Sequence, residues 1–273
     1  MPAACIQIGV VHEETDFLVV DKPPHLLVHP TRPGGPKTLL DLLRERHAFE
    51  IASGQQLSLV HRLDRETSGL LLVAKTQAAA REFGLALQGG GFLKEYLALV
   101  FGWPEWDVCE VDAPLLRAGS MGPSRIWLKQ AVHPSGAAAQ TRFEVVQRLR
   151  RETEPLATTA DARFALVRVQ PRTGRLHQIR VHAASLGHPL VGDKIYGPDE
   201  RHYLQFIETG WTPALARALW LDRHALHASR LCIQLGNKRW DFHAPLPLDM
   251  KALLASADEK PEKFLELTGP LPV

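Results

Sequence analysis

Residues 61–74 constrain the fold of this chain more sharply than any other stretch. His61-Arg62-Leu63-Asp64-Arg65-Glu66-Thr67-Ser68-Gly69 is polar and ends in a glycine, and Leu70-Leu71-Leu72-Val73-Ala74 follows without a break. A short run that is apolar at every position, rather than alternating, predicts a buried strand. The polar segment is then a loop that enters the edge of a rigid sheet and holds a carboxylate still. Asp64 lies between Arg62 and Arg65, and cationic neighbours favour its ionised form. That makes Asp64 a candidate anionic nucleophile or base rather than a proton donor.

The chain has 273 residues, enough to bury a sizeable core, and its charged fraction of 23% is ordinary for a globular protein. Net charge is only +2, but its placement is uneven. Residues 162–192 contain no acid and carry Arg163, Arg168, Arg172, Arg175 and Arg180. Residues 113–142 are also acid-free, while Asp258, Glu259, Glu262 and Glu266 gather near the C-terminus. A cationic face on a nearly neutral chain fits a polyanion, and Arg163, Arg168 and Arg172 are expected to contact phosphates.

Cys5, Cys109 and Cys232 are widely spaced, which argues against a disulfide framework and a cysteine-based zinc site. A reducing, cytoplasmic setting is the simplest expectation. His177, His182 and His188 follow at intervals of five and six, which match no standard metal site, so no metal is expected. No apolar run approaches the ~20 residues of a membrane span. The N-terminus lacks the basic start of a signal peptide.

Period-two and apolar runs predict strands at 6–11, 17–21, 70–74, 94–100, 107–112, 141–149, 164–170, 225–235 and 239–243. Thr38, with Asp41 three residues on, is expected to cap a helix through the following leucines, and Thr76 to cap one running to about Gln88. Further helices are expected after Leu176, at 213–221 and at 248–255. Residues 114–139 and 197–223 are candidate insertions. The first is a basic, Gly- and Pro-rich excursion, read as an RNA-facing hairpin or loop. Residues 152–161 are expected to be a polar loop, and the tail after Ser256 peripheral. One domain spanning 1–273 is the economical organisation.

Four motifs carry a resemblance. HRLDRETSGLLLVAKT resembles the signature of the RluA-type RNA pseudouridine synthases. FLVVDKPPHLLVHP, KEYLALVFG and TGRLHQIR with GHPLVGDKIYG resemble the remaining motifs of that family. The resemblance runs from Phe17 to Gly197. It implies an α+β fold with a mixed, mostly antiparallel central sheet, flanking helices and a central active-site cleft. It implies that Asp64 is the catalytic carboxylate, that Tyr96 lies in the active site, that Arg180 is the partner of the carboxylate, and that Ile179 packs beside the tyrosine. His25 stands where the family usually has glycine, a position at which positive φ is disfavoured for other residues. Leu176 stands where Thr or Ser is more usual. Many members carry an S4-like RNA-binding domain before the catalytic part; with the first motif beginning by Phe17, none is expected here.

The reaction implied is isomerisation of uridine in structured ribosomal or transfer RNA. The N1–C1′ bond breaks, the uracil turns, and C5 joins C1′. Nothing is oxidised and no group is donated, so no cofactor is expected, and no phosphate-cradling or dinucleotide motif occurs. The base must leave its stack, and a carboxylate suits the positive charge that develops on the ribose. Whether Asp64 attacks the sugar or the base stays open. Arg62, two residues before Asp64, is the candidate for filling the space left by the flipped base or gripping a phosphate. Lys22, His61, Arg175 and Ile179 complete the expected RNA contacts. RNA is the expected partner, with no DNA and no membrane, and a monomer is expected. Two rivals are a silent RNA binder and a nucleoside or glycoside hydrolase. Against the hydrolase, the only carboxylate near Asp64 is Glu66, read as structural.

Overall fold

The computed structural model describes residues 7–32, 34–151 and 162–257. The expected polar loop at 152–161, most of the tail after Ser256 and the expected strand start at Ile6 lie outside the described residues.

In chain order the elements are β1 (Gly9–Glu13), β2 (Phe17–Lys22), α1 (Leu39–Arg46), α2 (Ala48–Ala52), β3 (Ser58–Leu59), β4 (Ser68–Ala74), α3 (Gln77–Gln88) and β5 (Phe92–Phe101). Then come β6 (Val108–Asp112), β7 (Leu115–Arg117), β8 (Gln130–Val132), β9 (Gln140–Arg150), β10 (Arg163–Pro171), α4 (Gln178–Ser185), α5 (Arg201–Thr209), α6 (Pro213–Leu219), β11 (Leu226–Leu235), β12 (Lys238–His243) and α7 (Leu248–Ala255). The class is α+β, a mixed, mostly antiparallel sheet with flanking helices. The chain forms two compact units, Met1–Lys94 with Ala228–Ala244, and Glu95–His227 with Pro245–Val273.

In the first unit β2 pairs antiparallel with β1 and β4, and β11 with β12. All seven residues of β4 are buried, as its unbroken apolar run predicts. Thr38 and Asp41 form the expected capping box on α1, and Thr76 caps α3. The core gathers Phe17, Leu70, Leu72, Phe83, Ile233 and Phe242. Phe17 meets Phe83 edge to face at 5.1 Å. Each such buried side chain contributes roughly 1.5–3 kcal/mol. The short helix α2 falls where no helix was predicted.

In the second unit β10 lies between β5 and β9, and β6 pairs with β9, all antiparallel. Leu99, Leu149, Phe164, Leu166, Met250 and Leu254 form its main core. Arg223, fully buried, forks onto Asp249 at 2.5 and 3.0 Å and so ties α7 into place. The 114–139 excursion is a two-stranded hairpin, β7 with β8. Its Leu115, Ile126 and Ala139 pack with Val181 of α4 and with Ile195 and Tyr196. The 197–223 segment holds two helices, where the sequence predicted only the second. It encloses Lys194, whose Nζ lies 4.9 Å from the Phe206 ring and donates to the Asp222 carbonyl at 2.6 Å.

Candidate active site

The HRLD segment sits in the first unit between two anchors. Residues 61–67 form an irregular loop, closed by the Thr67 N–H donating to the Asp64 carbonyl at 3.2 Å. Gly69, with φ +108°, then admits the Ala228 backbone; a Cβ there would lie 2.3 Å from the Ala228 carbonyl oxygen. Only glycine satisfies both conditions. At the other end, the Leu72 N–H donates to His61 Nε2 at 3.2 Å. An accepting Nε2 requires a neutral ring. Burial, and then the Lys94 ammonium, press the His61 pKa down to about 3.

Lys22 adds a third hold on the segment. The register of β2 on β4 places it opposite Gly69. It is fully buried, and its Nζ donates to the carbonyls of Pro23 (2.7 Å), Leu26 (3.0 Å) and Arg65 (3.1 Å). The expected phosphate contact at Lys22 is therefore corrected. The ammonium is sealed inside the protein and pins the residue after Asp64. His61 commits its Nε2 to β4.

The same lysine shapes the departure at His25. That residue takes φ +63°, the conformation its glycine counterpart would adopt. The cost of roughly 1 kcal/mol is set against the Lys22 bond to Leu26 and an Arg65 Nε bond to the His25 carbonyl at 3.4 Å. Asp64 is half-buried and Arg62 exposed, in irregular backbone rather than a strand.

In the second unit Tyr96 is buried on β5, opposite Val169 of β10. Its neighbour Glu95, also buried, meets Arg168 at 3.2 Å and accepts from Gln170 at 3.1 Å. Ile179 and Arg180 are buried on α4. Two residues of the same motif set that helix. Gln178 donates to the Gln140 carbonyl and to Thr141 Oγ1, both at 2.9 Å, and its Oε1 accepts from Thr173 and from the Arg175 N–H. His182 bridges Thr141 Oγ1 and the Ala113 carbonyl, each at 2.9 Å. Arg175 is exposed, and its Nε donates to the Ala138 carbonyl at the base of the hairpin.

The residue missed by sequence reasoning is Asp193. Arg180 forks onto it, Nε to Oδ2 at 2.6 Å and Nη2 to Oδ1 at 2.9 Å. Asp193 is fully buried, and its Oδ1 also accepts the N–H groups of Ile195 and Tyr196 at 2.9 and 3.0 Å. Burial alone would raise its pKa. The Arg180 charge and hydrogen bonds outweigh that and hold it at about 2. The signal was the Gly192-Asp193 pair inside the GHPLVGDKIYG motif. Gly192 has φ +78°, and a Cβ there would fall 1.8 Å from the Arg223 carbonyl oxygen.

The arginines expected on phosphates are corrected in part. Arg168 is paired with Glu95 and, at 2.8 Å, with Glu144, its direct cross-strand neighbour on β9. Arg172 meets Glu110 of β6 at 3.1 Å. Arg163 lies 5.4 Å from the Trp103 ring. Among the described residues no cluster of His, Cys, Asp and Glu could hold a metal ion, and no helix is long and apolar enough to cross a membrane.

Comparison with known proteins fixes the class. The solved structure of human RNA pseudouridylate synthase domain containing 1 superposes with a TM-score of 0.68 at 26% identity, covering 94% of this chain and 90% of that one. Human RNA pseudouridylate synthase domain containing 4 gives 0.67 at 24% identity over 91% and 92%, a likeness of fold. The fold is thus that of a pseudouridine synthase.

Ribosomal large subunit pseudouridine synthase D of Haemophilus ducreyi is 32% identical over 263 residues, 96% of this chain and 74% of that protein. The protein of that name from Yersinia pestis is 34% identical over 265 residues, 95% and 73%. The model of the RNA pseudouridylate synthase family matches residues 16–185. The chain belongs to that family, as an RluA-type member, and is an RNA pseudouridine synthase.

Proposed function

We propose that this enzyme isomerises uridines of large-subunit ribosomal RNA, with Asp64 as the catalytic carboxylate. The observation that carries the substrate is the identity of 32% and 34% to synthases named for the large ribosomal subunit, over nearly the whole chain. In the reaction the N1–C1′ bond breaks, C5–C1′ forms, the C5 hydrogen leaves as a proton, and N1 gains one, so atoms and electrons balance. Asp64 stabilises or captures the fragment formed on bond cleavage. Arg180 is the partner of that carboxylate in the family motif, and Tyr96 takes the place of the residue that stacks on the turned base.

Arg62 is the residue proposed to enter the gap left by the base. It is exposed on the loop, and its guanidinium makes no hydrogen bond or ion pair with a described residue. The hairpin is proposed as an RNA-facing surface. Arg117 stacks 3.1 Å from the Trp127 ring centre, and Trp127 is 73% exposed. An exposed indole backed by a guanidinium suits base stacking beside a phosphate. We place the enzyme in the cytoplasm as a monomer acting on RNA, without DNA or membrane.

The test is tritium release from ribosomal RNA labelled at uridine C5. Release by wild type and none by folded Asp64→Asn is the expected result. Release from transfer RNA but not from unmodified ribosomal RNA would overturn the substrate. Retained release in Asp64→Asn would overturn the role of the carboxylate.

A further inference from the structure

The hydroxyl of Tyr196 stands where three parts of the second unit meet. The Gln130 N–H of strand β8 donates to Tyr196 Oη at 2.8 Å. The same oxygen lies 2.8 Å from His177 Nδ1. A tyrosine hydroxyl accepts from one partner while donating to another, so this pair of contacts is self-consistent with a neutral His177 whose Nδ1 accepts. The Tyr196 ring lies 5.0 Å from the Arg180 guanidinium carbon, and its backbone N–H is held by Asp193, the carboxylate that also forks Arg180.

His177 adds an independent observation. It caps α4 in the left-handed conformation, φ 56° and ψ 17°. A non-glycine residue there carries strain, and strain of this kind persists only where surrounding contacts over-determine it. One such contact is Tyr196 Oη, 2.8 Å from His177 Nδ1. One hydroxyl therefore links the β7–β8 hairpin, the N-cap residue of the helix that carries Arg180, and the turn that grips Arg180. The Tyr196 ring also belongs to an apolar cluster with Leu115, Ile126 and Val181, which would keep it seated without its oxygen.

We propose that Tyr196 is a positioning residue that makes the orientation of Arg180 depend on the seating of the 115–132 hairpin. It does not touch the reacting atoms. A hairpin engaged by RNA keeps the Gln130–Tyr196–His177 bridge closed and Arg180 aligned, and a displaced hairpin opens it. The catalytic half of this inference rests on the ribosomal RNA reading above; the linkage half does not.

The test is Tyr196→Phe, which keeps the ring and its packing and removes only the oxygen. Thermal unfolding first establishes that the variant is folded. Hydrogen exchange is then compared with wild type, without RNA, for peptides covering 130–132 and the first turn of α4. Faster exchange in both is expected; a change in only one, or in neither, would overturn the linkage. In the tritium assay the variant should lose about tenfold in kcat with KM within about twofold, because alignment rather than binding is lost. In an Arg180→Lys background the same substitution should cost less than about twofold, since the group it aligns is already replaced. An equal loss in both backgrounds, or an unchanged kcat, would overturn the coupling. A wild type that releases no tritium would sink the substrate reading, while the exchange comparison still decides the linkage.

Discussion

Lys22 Nζ donates to the carbonyl oxygen of Arg65 at 3.1 Å, across 43 residues of sequence. The bond fixes the backbone immediately after Asp64 from inside the protein. A lysine ammonium has three donors, and the carbonyls of Pro23, Leu26 and Arg65 take them. The motif that begins with Phe17 and the motif that holds Asp64 are thereby one structural unit.

Lys22→Met should destabilise the protein by roughly 3 kcal/mol in urea unfolding, because three carbonyls lose a charged, buried donor. The salt dependence of RNA binding should not change. A reduced salt slope in a folded Lys22→Met would show that the ammonium does reach a phosphate.

Asp193→Asn keeps the shape of the side chain and removes the Asp193 charge from the buried Arg180 fork. It should cost roughly 3 kcal/mol near neutral pH. The folded pKa of Asp193 is depressed from 3.8 to about 2, so its contribution is present above about 3.8 and is lost as pH falls toward 2. Chemical denaturation across that range should show the gap between wild type and variant closing. A gap independent of pH would refute the ionised fork.

His61 carries the opposite charge logic. Its folded pKa is lowered from 6.5 to about 3, so the unfolded chain binds the proton first on acidification. Stability from the neutral ring is complete above about 6.5 and declines as pH falls toward 3, with a slope of at most about 1.4 kcal/mol per pH unit. Gln offers an oxygen to the Leu72 N–H and does not titrate. Wild type should therefore lose more stability than His61→Gln between pH 6 and 4. Parallel curves would mean that His61 titrates normally.

Arg62 and Arg168 should behave differently toward RNA. Arg62→Ala should lower the salt slope of binding by roughly 0.7–0.9 and leave stability unchanged. Arg168→Ala removes the Arg168 cation from buried Glu95 and should lower stability by about 2 kcal/mol with the slope intact. Slopes measured on one RNA over a salt series, beside urea curves, check both. Equal slopes for Arg62→Ala and wild type would remove Arg62 from the RNA contacts.

By itself the sequence determined those features whose information is local. The apolar run of β4, the Thr38 capping box, the Thr76 cap and the strand carrying Tyr96 follow from periodicity and from hydrogen bonds spanning three or four residues. The RluA-type motifs likewise occupy short stretches, and they led directly to the pseudouridine synthase family. Tertiary structure decided which charges are available. Arg168 stands in a run with no acid, yet Glu95 and Glu144 face it from neighbouring strands. Arg180 and Asp193 are thirteen residues apart, and the turn at Gly192 is what joins them. Lys22 reads as an exposed cation until the β2–β4 register turns it inward. Charge pairing depends on separations of about 3 Å in space, and a chain that doubles back in antiparallel strands sets those separations through register, which no stretch of the sequence contains.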